Sequence, residues 1–178
     1  MMLKILAYPH KDLRKPASPA TEFNDSLRHL VKQMFDTMYA IDGWGLAATQ
    51  VGIPLRIFVM DVSNEKNQPL CLINATIISK ESMAESEEDC LSFPGILIKV
   101  PRSHKITVQY QDEFGASQTI TVEGLQAYCI QHEIDHLDGK LMIDYLSKLK
   151  RERILKKYHK LQLMGHDCGE PSCHQHHH

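Results

Sequence analysis

Between Asp25 and Ile41 the apolar positions Leu27, Leu30, Val31, Met34, Met38 and Ile41 recur with a period near 3.6. This predicts an amphipathic helix over 25–41, capped by Asn24 or Asp25 and stopped by Gly43. Ahead of it, Pro9, Pro16 and Pro19 predict an irregular lead-in over 8–22, with one short helical turn at 11–14. After Gly52 the pattern changes. Residues 55–61 read as a strand, and so do residues 70–79, where Leu72, Ile73, Ile77 and Ile78 supply the apolar positions. Residues 104–111 and 117–122 alternate around Asp112-Glu113-Phe114-Gly115, which is a hairpin signal.

A helical pattern then returns. Leu125, Cys129, His132 and His136 fall on one stripe, and Ala127, Ile130, Ile134 and Leu137 on another. A helix apolar on two sides is a central, buried one. Gly124 precedes its start and Gly139 follows as its C′ residue. A short apolar segment, Ile143 to Leu146, leads to a last helix over about 147–163, with Leu149, Ile154, Leu155, Tyr158 and Leu161 available for packing. Strands in runs with helices before and after predict an α+β fold rather than a doubly wound sheet. No repeat or linker divides the chain, so residues 1–164 read as one domain and residues 165–178 as a flexible His- and Cys-rich tail.

Composition narrows the function classes. A length of 178 residues suffices for one core, and 43% hydrophobic with 24% charged residues is ordinary for a globular protein. The formal net charge of −2 argues against broad nucleic-acid binding, DNA included. No apolar run approaches the ~20 residues of a membrane span. The first residues lack a signal-peptide pattern, so a cytoplasmic location is expected. Five widely spaced cysteines fit free thiols better than a disulfide framework. In the tail, Cys168, Cys173, His174 and His176 could collect stray metal, and the closing histidines read as native or as a cloning remnant.

The chemistry concentrates at His132-Glu133-Ile134-Asp135-His136, an H-E-x-x-H pattern. Side chains four apart on a helix share a face, so two imidazoles can grip one metal ion from the same side. The glutamate beside the first ligand is placed to handle protons. Two histidines can also sit four apart on a core helix by chance, but Glu133 between them favours the metal reading. The pattern lacks a third ligand. Downstream stand Asp138, Asp144, Glu152 and His159; upstream stands Cys90, ahead of the turn-prone Pro94-Gly95. A sulfur and two imidazoles would leave a fourth position open, the mark of a catalytic site. A third segment, Gly43 to Gly52, brings glycines that permit close backbone approach to a ligand, and Gln50, whose amide can donate to a carbonyl oxygen.

These three segments, G-x-G-L-A-A-T-Q, E-x-C-L-S and Q-H-E-x-D-H, in this order, resemble the three motifs of peptide deformylases. The similarity extends through Tyr8-Pro9, Leu13-Arg14, Pro101-Arg102 and Gly139-Lys140-Leu141, covering about residues 3–160. It implies an enzyme that removes the formyl group from N-formylmethionyl nascent chains. It implies sheets, antiparallel or mixed, around the metal-binding helix, with a C-terminal helix. Cys90, His132 and His136 would be the ligands, Glu133 the proton carrier, and Gln50 with the backbone N–H of Leu91 the oxyanion donors. The ion would be Fe(II) in the cell, with zinc, nickel or cobalt able to replace it in purified protein. Gly43, Trp44 and Gly45 would line an extended peptide, and Trp44, Leu125, Tyr128, Cys129 and the ring of His132 would hold its methionine side chain.

Two positions depart from the family pattern. Asp89 stands where relatives have glycine, which would strain a backbone at positive φ unless Asp89 is held by a hydrogen bond, for instance to Arg102. Trp44 replaces a smaller aliphatic residue and would narrow the pocket. The last helix is basic on its outer face: Lys148, Lys150, Arg151, Arg153, Lys156, Lys157 and Lys160 against Glu152. This is a solvated face or, as the family's work on nascent chains implies, a docking surface for ribosomal RNA. A monomer is expected. The rival functions are a zinc peptidase and a non-catalytic peptide-binding protein on the same fold.

Overall fold

Helix α1 (Asp25–Ala40) starts where Asn24 caps it, the side chain accepting the Leu27 N–H at 3.0 Å. Its apolar stripe buries Leu27, Val31, Met34 and Met38. Ile41 is the C-cap rather than a helical residue, and the Gly43 N–H closes back onto the Met38 carbonyl at 2.9 Å. The computed structural model describes residues 2–165. The short turn forms as a 3-10 turn at Lys11–Arg14 with Leu13 buried.

Five strands follow: β1 (Gly45–Ala47), β2 (Ile57–Met60), β3 (Leu70–Cys90), β4 (Phe93–Gln111) and β5 (Ser117–Glu123). They form one sheet in the order β1-β2-β3-β4-β5, with antiparallel neighbours throughout. The only parallel element among the described residues is an isolated bridge between Ser18 and Leu55. β3 and β4 run far beyond the expected 70–79 and 104–111. They are 21 and 19 residues long and meet through a turn at Leu91 and Ser92.

The sequence hides this ribbon because residues 79–83 are polar or exposed on both faces, and because Pro94 and Pro101 read as breakers. Pro101 nonetheless pairs with Glu85. It is tolerated because β5 covers only Lys105–Gln111 of β4, which leaves the Pro101 edge without a neighbouring strand. Register shifts between Ile73 and Thr76, Ile77 and Ser79, and Glu88 and Cys90 bend the ribbon.

Helix α2 (Leu125–Leu137) packs Ala127, Ile130 and Leu137 against Phe58, Met60, Leu72, Ile106 and Val108. On another side of the sheet, α1 closes over Leu46, Ile57, Val59 and Ile73. A third apolar group unites the far end of the ribbon (Phe93, Ile96, Ile98, Val100) with Leu141, Met142, Ile143 and Tyr158. The segment expected at Ile143 to Leu146 is a 3-10 turn, Met142–Tyr145. Helix α3 (Lys148–Gly165) docks through Tyr158, whose hydroxyl donates to the Tyr8 carbonyl at 2.8 Å, with Ile154 and Leu155 beside it. Leu149 is 59% exposed and does not pack as expected. The His- and Cys-rich residues after 165 lie outside the described residues. Among those described, no helix is long and apolar enough to cross a membrane.

Candidate active site

Helix α2 is bounded by two glycines at positive φ. Gly124 (63°) opens it, and Gly139 (74°) follows its end, where a Cβ would run into the Arg14 carbonyl. Between them the 3.6-residue period brings His132 and His136 together, with their Nε2 atoms 3.2 Å apart. The Cys90 Sγ lies 3.2 Å from His136 Nε2. One ligand atom from each of the three residues lies within 4.8 Å of the others.

Cys90 is the last residue of β3, re-aimed by the register shift after Glu88. The downstream alternatives are engaged elsewhere. Asp138 pairs with Arg56 at 2.8 Å and Asp144 with Arg14, while Glu152 and His159 are exposed on α3.

The second layer was not legible beforehand. Glu88, one β repeat before Cys90, accepts from His132 Nδ1 at 2.9 Å and receives two hydrogen bonds from Arg102, at 2.9 and 2.8 Å. Arg102, its side chain 2% exposed, also donates to Asp135 at 2.7 Å and to Tyr145 at 3.1 Å. Burial works against a charged Glu88, yet Arg102 and His132 hold its carboxyl down at about 2. A fixed carboxylate on Nδ1 makes the ring more basic and leaves Nε2 as the atom of His132 that faces His136 and could ligate an ion. The signals along the chain were the glutamate of E-x-C-L-S, the aspartate of Q-H-E-x-D-H and Pro101-Arg102, with nothing to say that they meet.

Burial disfavours a charged His132, but Cys90 and Glu88 outweigh it and raise its pKa well above the usual imidazole value. Burial and the neighbouring His132 lower that of His136 well below it. Sulfur and two imidazoles converging beside the Glu88 carboxylate fit a single divalent transition ion.

Glu133 is 4% exposed, and its Oε2 has no hydrogen-bond partner. Burial, with Glu88 and Asp135 nearby, pushes its carboxyl up to about 7 against the opposing pull of His132 and Arg102. Gln50 sits in the 3-10 turn Ala48–Val51 that follows β1. Its Oε1 accepts the Ala47 N–H at 2.9 Å. That fixes the amide so that Nε2 points toward Ser92 Oγ at 3.1 Å and Cys90 Sγ at 3.7 Å. Ser92 is a further member of the site that the sequence reading did not single out.

Gln50, Cys90, His132 and Glu133 open onto one groove, also lined by Gly43, Trp44, Gly45, Leu91, Leu125, Tyr128 and Cys129. Leu125 is 52% exposed at its rim. Close backbone approach at Gly45 is to the protein itself: a Cβ there would stand 2.7 Å from Glu133 Oε1 and 2.9 Å from Cys129 Sγ. The Trp44 carbonyl is bonded by the Asp61 N–H at 2.8 Å, so it is committed to β2. Antiparallel alternation then turns the polar groups of Gly45 to the opposite edge, toward the groove. Asp89 is not at positive φ, so the expected strain is absent. Nor does it hold Arg102, which goes to Glu88, Asp135 and Tyr145.

Two imidazoles and a sulfur on one side of a groove, with a buried carboxylate beside them, define a metal-dependent hydrolase. The model of the polypeptide deformylase family matches residues 2–152, and the chain belongs to that family. The peptide deformylase of Nitrosococcus oceani is 48% identical over 164 residues, 92% of this chain and 98% of that protein. That of Pseudoalteromonas translucida is 49% identical over 158 residues, 89% and 95% of the two chains. A peptide deformylase structure from Legionella pneumophila superposes with a TM-score of 0.90 at 44% identity, covering 96% of this chain and all of that one. One from Ehrlichia chaffeensis, in complex with actinonin, superposes at 0.85 with 39% identity, over 90% and 98% of the two chains. The chain is thus an enzyme that removes the N-formyl group from newly made polypeptides, and neither rival reading is favoured.

Proposed function

We propose that Cys90, His132 and His136 hold one divalent ion, that Glu133 carries the proton, and that Gln50 and the Leu91 N–H steady the developing oxyanion. The observation that supports this most is the buried, unpartnered carboxylate of Glu133 beside three converging donor atoms. When bound, the ion supplies Lewis acidity and lowers the pKa of water. Glu133 takes a proton as water adds to the formyl carbon and returns it to the leaving amine, so formate and a free N-terminal amine result. Gln50 keeps its oxygen on Ala47, so the amide turns its Nε2 side, beside Ser92 Oγ and Cys90 Sγ, toward the groove, where an N–H can be donated to the reacting oxygen. The substrate lies along the groove-facing edge of β1 at Gly45, with Gly43 and Trp44 beside it, and its methionine side chain rests against Leu125, Tyr128 and Cys129.

The donor set suits Fe(II) in the cell, with zinc, nickel or cobalt as substitutes in purified protein. Residues 1–164 act as one catalytic domain, as a monomer in the cytoplasm, and the basic face of α3 suits ribosomal RNA. The test is formate release from a formyl-methionyl peptide, with protein prepared anaerobically with iron, beside Glu133→Ala. The variant should keep its metal and lose at least about 10²–10⁴-fold in kcat. Loss of the metal in Glu133→Ala would show that the glutamate is a ligand. A wild type that releases no formate would sink the reading as a whole.

A further inference from the structure

Two contacts set β3 and α2 side by side, running in the same direction. Cys90 Sγ lies 3.2 Å from His136 Nε2, and Glu88 accepts from His132 Nδ1 at 2.9 Å. A step of two residues along a strand advances about 6.6 Å, and a step of four along a helix about 6 Å. The elements therefore stay matched, and the next pair toward their N-termini is Ser86 with Tyr128. Both line the groove, one step beyond His132. Ser86 thus stands in the wall of the pocket that takes the first side chain of the substrate.

The other polar side chains of that wall are engaged. The Tyr128 hydroxyl meets His104 Nδ1 at 3.0 Å, and the Gly124 N–H ties the start of α2 to the His104 carbonyl at 2.8 Å. The Cys129 thiol donates to the Trp44 carbonyl at 3.7 Å. Ser86 is only 6% exposed, yet its hydroxyl makes no hydrogen bond among the described residues. Burying an unpaired hydroxyl costs free energy, and an apolar residue would line a methionine pocket without that cost. A donor left over in this wall suits a side chain that brings its own acceptor.

We propose that Ser86 lets this enzyme deformylate chains whose first residue is methionine sulfoxide, the serine hydroxyl donating to the sulfoxide oxygen. The proposal rests on the deformylase reading of the site. Oxidation turns the apolar thioether into a polar, chiral group, which a wholly apolar pocket rejects. The hydrolysis is unchanged: water adds to the formyl carbon, the C–N bond breaks, formate leaves, and the sulfur keeps its oxygen. A donor fixed on one wall reaches the oxygen of one sulfoxide epimer and not of the other. One neutral hydrogen bond corresponds to roughly a fivefold to tenfold preference.

The experiment measures kcat/KM for formyl-Met-Ala-Ser and for each separated epimer of its methionine sulfoxide counterpart, on the iron-loaded wild type, on S86A and on S79A. Ser79 is exposed on the same strand and lies outside the groove. Wild type and S79A should use one epimer at least about fivefold more efficiently than the other. In S86A the two epimers should come within about twofold of each other, while activity on the methionine peptide stays within about twofold of wild type. Calorimetric binding of the deformylated tripeptides should give the same epimer order without turnover, so failure of the reaction and failure of the sulfoxide contact are read apart. An epimer preference unchanged in S86A, an equal loss on all three peptides, or products bound without epimer order overturns the proposal.

Discussion

Gly45 shows how closely single residues are fitted around Glu133, the proposed proton carrier. A methyl group there would sit 2.7 Å from Glu133 Oε1 and 2.9 Å from Cys129 Sγ. Both neighbours are side-chain ends, so the protein can yield at small cost in stability. What yields, however, is the carboxylate proposed to move the proton, and misplacement by about 1 Å can cost about 10²-fold in rate. Gly45→Ala is expected to lower kcat by at least about tenfold while the melting temperature stays within a few degrees. Steady-state kinetics beside calorimetry checks this, and an unaffected kcat would mean that Glu133 tolerates displacement.

The ribbon of β3 and β4 and helix α3 form a pair of elements that fix Cys90. The turn after Cys90 is clamped where the Tyr8 N–H donates to the Ser92 carbonyl at 2.9 Å. Tyr8 stacks on Phe93 with centroids 4.7 Å apart, and Tyr158 packs against both rings while its hydroxyl donates to the Tyr8 carbonyl. Removing only the hydroxyl, in Tyr158→Phe, should cost about 1 kcal/mol. Removing the ring, in Tyr158→Ala, should cost about 3–5 kcal/mol and loosen metal retention, because the far end of the ribbon loses its backing. Urea unfolding of iron-loaded protein beside metal analysis would decide this. Equal losses in the two variants would place the whole effect in the hydrogen bond.

At the scale of the molecule, the lead-in strap is tied across the end of α2. Arg14 makes two hydrogen bonds to Asp144, and the Leu141 N–H donates to the same carboxylate at 3.0 Å. Burial raises the Asp144 pKa, but Arg14 and Leu141 outweigh it and hold it below the usual carboxylate value. A depressed folded pKa contributes stability above the unfolded value of about 3.9, and that stability is lost as pH falls through the folded pKa. Asp144→Asn should therefore lower the urea midpoint at neutral pH, with the gap to wild type closing below about pH 4. A gap that persists in acid would assign the effect to shape rather than charge.

Much of this was legible along the chain because the signals are local. The 3.6 period found α1 and α2, the cap at Asn24 needed only Leu27 three residues on, and the spacing of His132, Glu133 and His136 is itself a statement about one helix face. The three motifs placed Cys90 and Gln50 in the same set before any geometry was known. What the sequence left undecided depends on which edges and faces find partners. Residues 80–103 carry prolines and exposed charges that argue against a strand, yet they pair with each other, and Pro101 is tolerated because β5 leaves its outer edge open. The run Glu88, Arg102, Asp135 and Tyr145, buried at Glu88 and Arg102, joins residues far apart in sequence, and only packing removes the water that would otherwise separate those charges. The glycine at 45 reads as room for a ligand until the fold shows that Glu133 occupies it. Local backbone preference determined the elements and the donor set, whereas burial and strand pairing, which are properties of the assembled chain, decided how the donors are aimed and what supports them.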